Sequence, residues 1–435
     1  MKFSIDRKSI SDVLSLIQGV TNRTTTLAIT SDVLIKAEDS QITVTANDLE
    51  TVFQGQYDAD VESDGIISIN ARKLYEIVRE YPENIFPVNE IENRWIEIGE
   101  GNIQYHIVSS DHENFPEHPV IEDVPFIEID TSLLKKMVEI SASITYSKEE
   151  KRPYVLGALL EYVSDASVDS VALEMAYQTS SSSDVSEKKA SSGKSSSSQK
   201  SSSTVSDDNP SEDHDTENSL ASADNKDKET KSAILRMVST DSKRLYAFDI
   251  PVSGNLEIPE EGIIIPKKGL SELGKFLSTS GKALIGVKNN HFIVKIDNET
   301  MMVKLLEGEY PDYRRVLSTT GFTPIIMNRI MFMMMMKRMS ILVSDDYKSV
   351  IFNFRENELV VTITNPEIGE SKEQIAVGYT GNHIESAFNP KYFIDALNAV
   401  KGDDVVVHIK DNRNPCILKG HDDKGFVCAI MAMSV

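Results

Sequence analysis

Apolar residues recur at helical spacing in six segments: 7–22 (RKSISDVLSLIQGVTN), 70–82 (NARKLYEIVREYP), 130–145 (DTSLLKKMVEISASIT), 266–281 (PKKGLSELGKFLSTSG), 327–342 (MNRIMFMMMMKRMSIL) and 389–402 (NPKYFIDALNAVKG). Each has Asp, Asn, Pro or an early Ser near its start, residues that take up a free N–H or pre-set the helical φ. Between them lie short alternating or fully apolar runs, QITVTAND, GIISIN, RWIEIG, HFIVKI, SVIFNF and ELVVTIT, bounded by turn residues. These read as strands.

The fifth segment is unusual, a Met-rich run carrying three cations. Helical spacing predicts a core-facing stripe of Met331, Met335, Met339 and Leu342, flanked by Ile330, Met334 and Ile341, with Arg329, Met333, Lys337 and Ser340 on the other side.

Spacing supplies the strongest organisational signal. The first helix begins 63 residues before the second, and the fifth begins 62 before the sixth, whereas the third and fourth are 136 apart. That excess coincides with a Ser-, Asp-, Asn- and Lys-rich stretch, about 165–232, nearly devoid of large apolar residues. Such a composition cannot bury enough apolar area to offset the entropy of ordering it, and is expected to be a disordered, exposed insertion. It falls between ALLEYV and AILRMVST, so it extends a hairpin turn, where added length costs little. The chain is therefore expected to be a triplicated helix–strands–helix–strands unit with domains 1–125, 126–319 and 320–435, an α+β class with helices on one face of antiparallel sheets.

Composition adds a contradiction. With 435 residues, 40% hydrophobic and 26% charged, the chain can build several cores, but its net charge of −23 opposes binding to a polyanion. The six helical segments nevertheless sum to +8, leaving −31 for the rest. On any one helix a few cations merely solvate the surface; six on a common face would make that face basic in an acidic body. No apolar run has membrane-spanning length, and the N-terminus lacks the apolar stretch of a secretory signal, which predicts a cytoplasmic location and no membrane partner. Cys416 and Cys428 are too few for a disulfide framework or structural zinc and are expected in the core.

Several stretches carry a family resemblance: KRPYVLGALLEYV (151–163), STDSKRLYAF (239–248), LLEGEYPDYRRVL (305–317), SAFNPKYFIDALNAVKG (386–402) and the terminal IMAMSV. The chain resembles the bacterial DNA sliding clamps, the beta subunits of the replicative DNA polymerase, over its whole length apart from the insertion. The resemblance implies three similar domains per crescent, two crescents closed head to tail as a homodimeric ring, helices lining the hole and sheets outside. It implies a processivity factor around duplex DNA, with the clamp loader, the replicative polymerase and other proteins as partners, no cofactor, no metal and no catalysis. Arg23, Arg72, Lys73, Arg79, Tyr154, Lys267 and Lys268 match DNA-facing positions. A groove for partner peptides with apolar anchors would comprise Val155, Thr240, Arg244, Leu245, Pro311, Arg315, Val316, Asn389, Tyr392, Met431 and Met433. Tyr105, Ile107, Ile341 and Leu342 match the subunit boundary.

This chain also departs from the family pattern. Ser242-Lys243 replaces a common Gly-His, and Met431-Ala432-Met433-Ser434-Val435 replaces Met-Pro-Met-Arg-Leu, changes that bear on peptide preference. Glu149 and Glu150 put acid near a stretch expected to approach DNA. Two rivals follow: a clamp-like scaffold that binds proteins without encircling DNA, and a metal-dependent nuclease. Against the second, the sequence has no phosphate-binding Gly-rich loop, HExxH or paired-cysteine motif, and His106, His112, His118 and His421 are scattered. Asp241 beside Lys243 and Arg244 reads better as an ion pair at a turn than as a catalytic cluster.

Overall fold

A strand running straight into a helix, followed by a three-stranded meander, recurs six times. The structure, a computed structural model, describes residues 1–21, 28–119, 121–144, 151–163, 233–423 and 425–433. The insertion, Arg23, Glu149 and Glu150 lie outside the described residues. The lead strands are Lys2–Asp6, Gly65–Asn70, Ile127–Asp130, Ile263–Pro266, Thr323–Asn328 and Ile384–Phe388. Their helices are Arg7–Leu16, Ala71–Glu80, Thr131–Ala142, Lys267–Phe276, Arg329–Met339 and Pro390–Ala399. Five of the six helices start where Asp6, Asn70, Asp130, Asn328 or Asn389 turns its side-chain oxygen onto a first-turn N–H; Pro266 precedes the fourth. Each helix ends earlier than its apolar pattern. Tyr81, for example, is extended because Pro82 follows it.

Pairing interlocks the two halves of every domain. Lys2–Asp6 pairs with Ile85–Glu90 of the other half, and Gly65–Asn70 pairs back with Asp32–Glu38. The same exchange joins Ile127–Asp130 to Lys282–Lys288 and Ile263–Pro266 to Gly157–Val163. It joins Thr323–Asn328 to Asp404–Ile409 and Ile384–Phe388 to Val350–Arg355. Domains then meet through the last meander strand of a half: Thr51–Asp58 pairs with Glu299–Lys304, and Arg244–Val252 with Phe426–Ile430. Two eight-stranded sheets result, one across each junction. The chain ends as a five-stranded and a four-stranded sheet, with Tyr105–Val108 and Gly369–Ala376 at their edges.

Helices pack in pairs over one sheet face, burying Leu14 and Val78, Leu134 and Leu273, and Phe332 and Leu397 in a continuous core. Cys416 and Cys428 are fully buried there. The opposite face carries a second cluster at the second junction, Leu159, Val238, Leu245, Ile264 and Val427, covered by Tyr313 and Leu317 of the connecting segment. A smaller cluster of Val52, Ile293 and Met302 lies at the first junction.

The Met-rich helix is rotated from its expected phase. Met335 and Met339 are buried as expected, but Met331 is 61% exposed and Met333 is buried in its place. Eight of the eleven helical residues are apolar, so hydrophobic periodicity scarcely favours one rotation. Phe332, the largest, decides it: its ring meets Phe393 at 5.6 Å and Phe352 at 6.2 Å.

Several helical cations are engaged in holding the fold. Lys135 Nζ donates to Leu277 O at 2.7 Å, and Arg329 donates to Leu397 O and Gly402 O, so each cation meets the carbonyl end of its neighbouring helix. Lys136 pairs with Asp423 across the second junction at 2.7 Å. Lys268 pairs with Asp48 and Glu50 across the first.

Two stability predictions arise here. Arg236 and Asp249, both nearly buried, form two parallel hydrogen bonds of 2.7 Å between neighbouring strands. Arg236→Ala strands the carboxylate and is expected to cost about 3–5 kcal/mol in urea unfolding. His408 sits in the sheet beside Lys419, and burial, then that cation, pushes its imidazole down from 6.5 to about 4. The folded chain favours neutral imidazole, so the unfolded chain binds more protons between those values. The group's stabilising contribution is complete above pH 6.5 and falls away toward pH 4. His408→Gln is expected to flatten that part of the urea-midpoint profile against pH.

Candidate functional site

The hairpin turn before the junction strand organises the candidate groove. Thr240 ends one strand and Arg244 starts the next, with Asp241 Oδ1 accepting the N–H groups of Lys243 and Arg244, each at 2.9 Å. Ser242 takes φ +70° in this turn, a conformation that Gly adopts more easily. Arg244 is buried, and its guanidinium donates to Asp241 (3.2 Å), Tyr246 OH (3.2 Å) and Asp395 (2.5 Å) while lying 4.6 Å from the Tyr392 ring centroid. It thereby ties the second domain's turn to the last helix of the third. Asp395 was not legible as part of the site; Asp241-x-x-Arg244 was.

The C-terminal segment crosses the same place. Met431 N–H donates to Lys243 O at 2.9 Å, and Met433 N–H to Ala387 O at 2.8 Å, leaving both methionine side chains over one-third exposed. Asn389 caps the neighbouring helix, and its carbonyl accepts Tyr392 N–H. Pro311 and Val316 come from the segment covering the outer apolar cluster, where Val316 packs on the cluster that includes Leu245. Arg315 projects into solvent, its side chain 90% exposed and 3.3 Å from Asp312. Val155 is 1% exposed and serves as floor. Thr240, Arg244, Leu245, Tyr392, Met431 and Met433 are thus assembled at one junction, presenting a flexible apolar rim beside fixed polar groups. Such a surface can accept varied peptides.

The expected DNA-facing set divides. Arg72 and Lys73 are exposed on the helix face and share Glu76, while Arg79 is exposed beside Glu80. Lys267 and Lys268 do not join them. Lys267 is buried, with Nζ 3.4 Å from Thr240 O beneath the groove turn, and burial pushes it down to about 8. Lys268 is spent on the domain junction because Asp48 and Glu50 lie within its reach. Tyr154 turns to the other side of the sheet, its ring 6.1 Å from Tyr310. Among the described residues, exposed Lys8, Lys337, Lys391 and Lys401 have no carboxylate partner.

At the two ends, apolar side chains accompany the free strand edges. Tyr105 is 37% exposed and Val108 60%, while Ile107 is half-buried. Ile341 is 74% exposed, and Leu342 packs partly on the core. Arg338 reaches from the Met-rich helix to Glu373 on the free edge strand. The scattered histidines assemble nothing: His106 sits 3.1 Å from Glu97, and His421 3.0 Å from Asp422.

Comparison with known proteins places this architecture. Family models for the DNA polymerase III beta subunit match in chain order: the N-terminal domain over 1–119, the central domain over 219–312 and the C-terminal domain over 314–434. Three clamp domains in one chain define its class. The chain belongs to the DNA polymerase III beta subunit family. It is similar to the beta sliding clamp of Chlamydia pneumoniae, 25% identical with 96% of this chain and 95% of that protein covered. It is 23% identical to that of Haemophilus influenzae, with both chains fully covered. Among solved structures, a Bartonella birtlesii DnaN sliding clamp bound to griselimycin and the beta subunit from Pseudomonas aeruginosa each share the fold at TM-score 0.79 and 22% identity, with both chains fully covered.

Proposed function

We propose that two copies of this chain close head to tail into a ring around duplex DNA and act as a processivity factor. In this reading the ring tethers the replicative polymerase and other DNA-processing proteins through short peptides bound in the junction groove. Domains 1–125, 126–319 and 320–435 supply the repeated arcs. The observation that carries the reading is the strand pattern. Six last-meander strands are described; four pair with one another across the two domain junctions, and Tyr105–Val108 and Gly369–Ala376 remain. The same edge-to-edge rule, applied between copies, closes two further junctions and covers the edges of both these strands.

Encirclement changes what the inner face must do. A closed ring cannot diffuse off a closed circle, so individual phosphate contacts can stay weak and independent of sequence. Arg72, Lys73 and Arg79, shared with nearby glutamates, suit such contacts. The role requires no covalent step. Among the described residues no helix is long and apolar enough to cross a membrane.

One observation favours a second reading, a protein-binding scaffold that does not encircle DNA. Lys135, Lys136, Lys268 and Arg329 are engaged in the fold and do not enlarge a basic wall. Sedimentation equilibrium tests the ring first. The expected result is twice the chain mass at micromolar concentration and below; a monomer throughout that range would remove the ring.

A further inference from the structure

The segment that covers the outer apolar cluster is pinned at two points. Leu306 N–H donates to Ile264 O at 2.9 Å, and Tyr310 OH donates to Val238 O at 3.1 Å. Between the pins the chain arches through Glu307, Gly308 and Glu309. Gly308 has φ +144°, and a Cβ there would lie 2.8 Å from the Pro153 ring, so only glycine fits and the arch has a fixed shape. Beside the arch opens a cleft of about 740 Å³. Its apolar floor includes Leu159, Ile264 and Leu306, and its rim includes Glu261, Glu307 and Glu309. The three carboxylates are exposed, and none has a cationic partner among the described residues.

Tyr310 connects this cleft to the junction groove. It lines the cleft and also packs on the apolar cluster that contains Leu245, with Val316 beside it. One connecting segment therefore borders two apolar depressions that differ in charge: at the groove Arg315 is matched by Asp312 and Arg244 by Asp241 and Asp395, whereas at the cleft the three glutamates have no cationic partner among the described residues. We propose that the cleft is a second subsite for the partner peptide, taking an aliphatic side chain flanked by Lys or Arg on the same peptide whose apolar anchors fill the groove. The inference rests on the groove reading. An aliphatic side chain covers the floor, and its cationic neighbours answer carboxylates that have no cationic partner among the described residues.

Fluorescence anisotropy on the full chain tests it. The probes are a labelled peptide with two apolar anchors, the same peptide extended at either terminus by a Gly/Ser spacer and Lys-Leu-Lys, and controls ending in Glu-Leu-Glu. The partner protein is the native chain or the triple variant Glu261→Gln, Glu307→Gln, Glu309→Gln, all surface changes. The expected result is that the basic extension at one terminus tightens binding to the native chain by about tenfold, as a tethered weak contact does. The gain should vanish in the triple variant and shrink in high salt, with the plain peptide binding both proteins equally and the acidic extension adding nothing. A gain under about twofold at both termini, or one that survives in the triple variant, overturns the subsite while leaving the groove intact. Failure of the plain peptide to bind the native chain defeats the groove reading, and the subsite with it.

Discussion

Tyr105→Asp combined with Ile341→Asp is expected to convert the protein into monomers while leaving each chain folded. Both side chains are exposed in the single chain, so the substitutions remove little from its own core. In the proposed seam they would lie where two free strand edges meet, and burying an unpaired carboxylate there costs several kcal/mol. The dimer dissociation constant should rise about a thousandfold, equivalent to about 4 kcal/mol. Sedimentation gives the mass, and urea unfolding of the monomer checks that the fold is unchanged. A double variant that stays dimeric with unaltered affinity would show that these residues are not at the seam.

Arg244→Ala is expected to abolish peptide capture. The guanidinium holds Asp241, Tyr246 and Asp395 together and underlies the Tyr392 ring, so its loss frees the turn from the last helix at the groove. Peptide affinity should fall at least about a hundredfold, as at other buried arginine anchors, with a stability loss of about 3–5 kcal/mol. Met431→Ala with Met433→Ala separates the two effects. These side chains are over one-third exposed, so stability should barely change while peptide affinity drops about tenfold or more. Titration of one labelled peptide into both variants, alongside urea unfolding, measures the contrast.

Much of this fold can be read from local chemistry. Aspartate and asparagine caps mark helix starts, alternating runs mark strands, and a spacing of 62 or 63 residues reveals the repeat. What remains hidden is how the halves exchange lead strands. The alternation of a strand such as GIISIN says which face it buries, not which neighbour it joins. The Met-rich helix illustrates another limit, because a nearly uniform apolar run has no periodicity from which to fix its rotation.

The candidate site was legible where chemistry is local in sequence. Asp241 and Arg244 lie three residues apart and pair across a turn, as their spacing implies. The resemblance marks Lys267 and Lys268 as DNA-facing, yet nothing in PKKGLSEL announces Asp48 or the underside of Thr240, which take them up in the fold. Summed helix charge likewise overstates the positive surface. Lys135 and Arg329 are counted as exposed cations in the sequence but cap helix ends in the fold.

Encirclement is the central claim, and its most direct test is topological. The protein is loaded onto nicked circular DNA with an ATP-driven clamp loader, the complex is isolated, and the circle is then cut once at moderate salt. A closed sliding ring predicts retention on the circle and rapid loss after cutting. Equal retention before and after the cut would mean direct binding to DNA, and no retention on the circle with a loader proven competent would mean no ring; either contradicts the account.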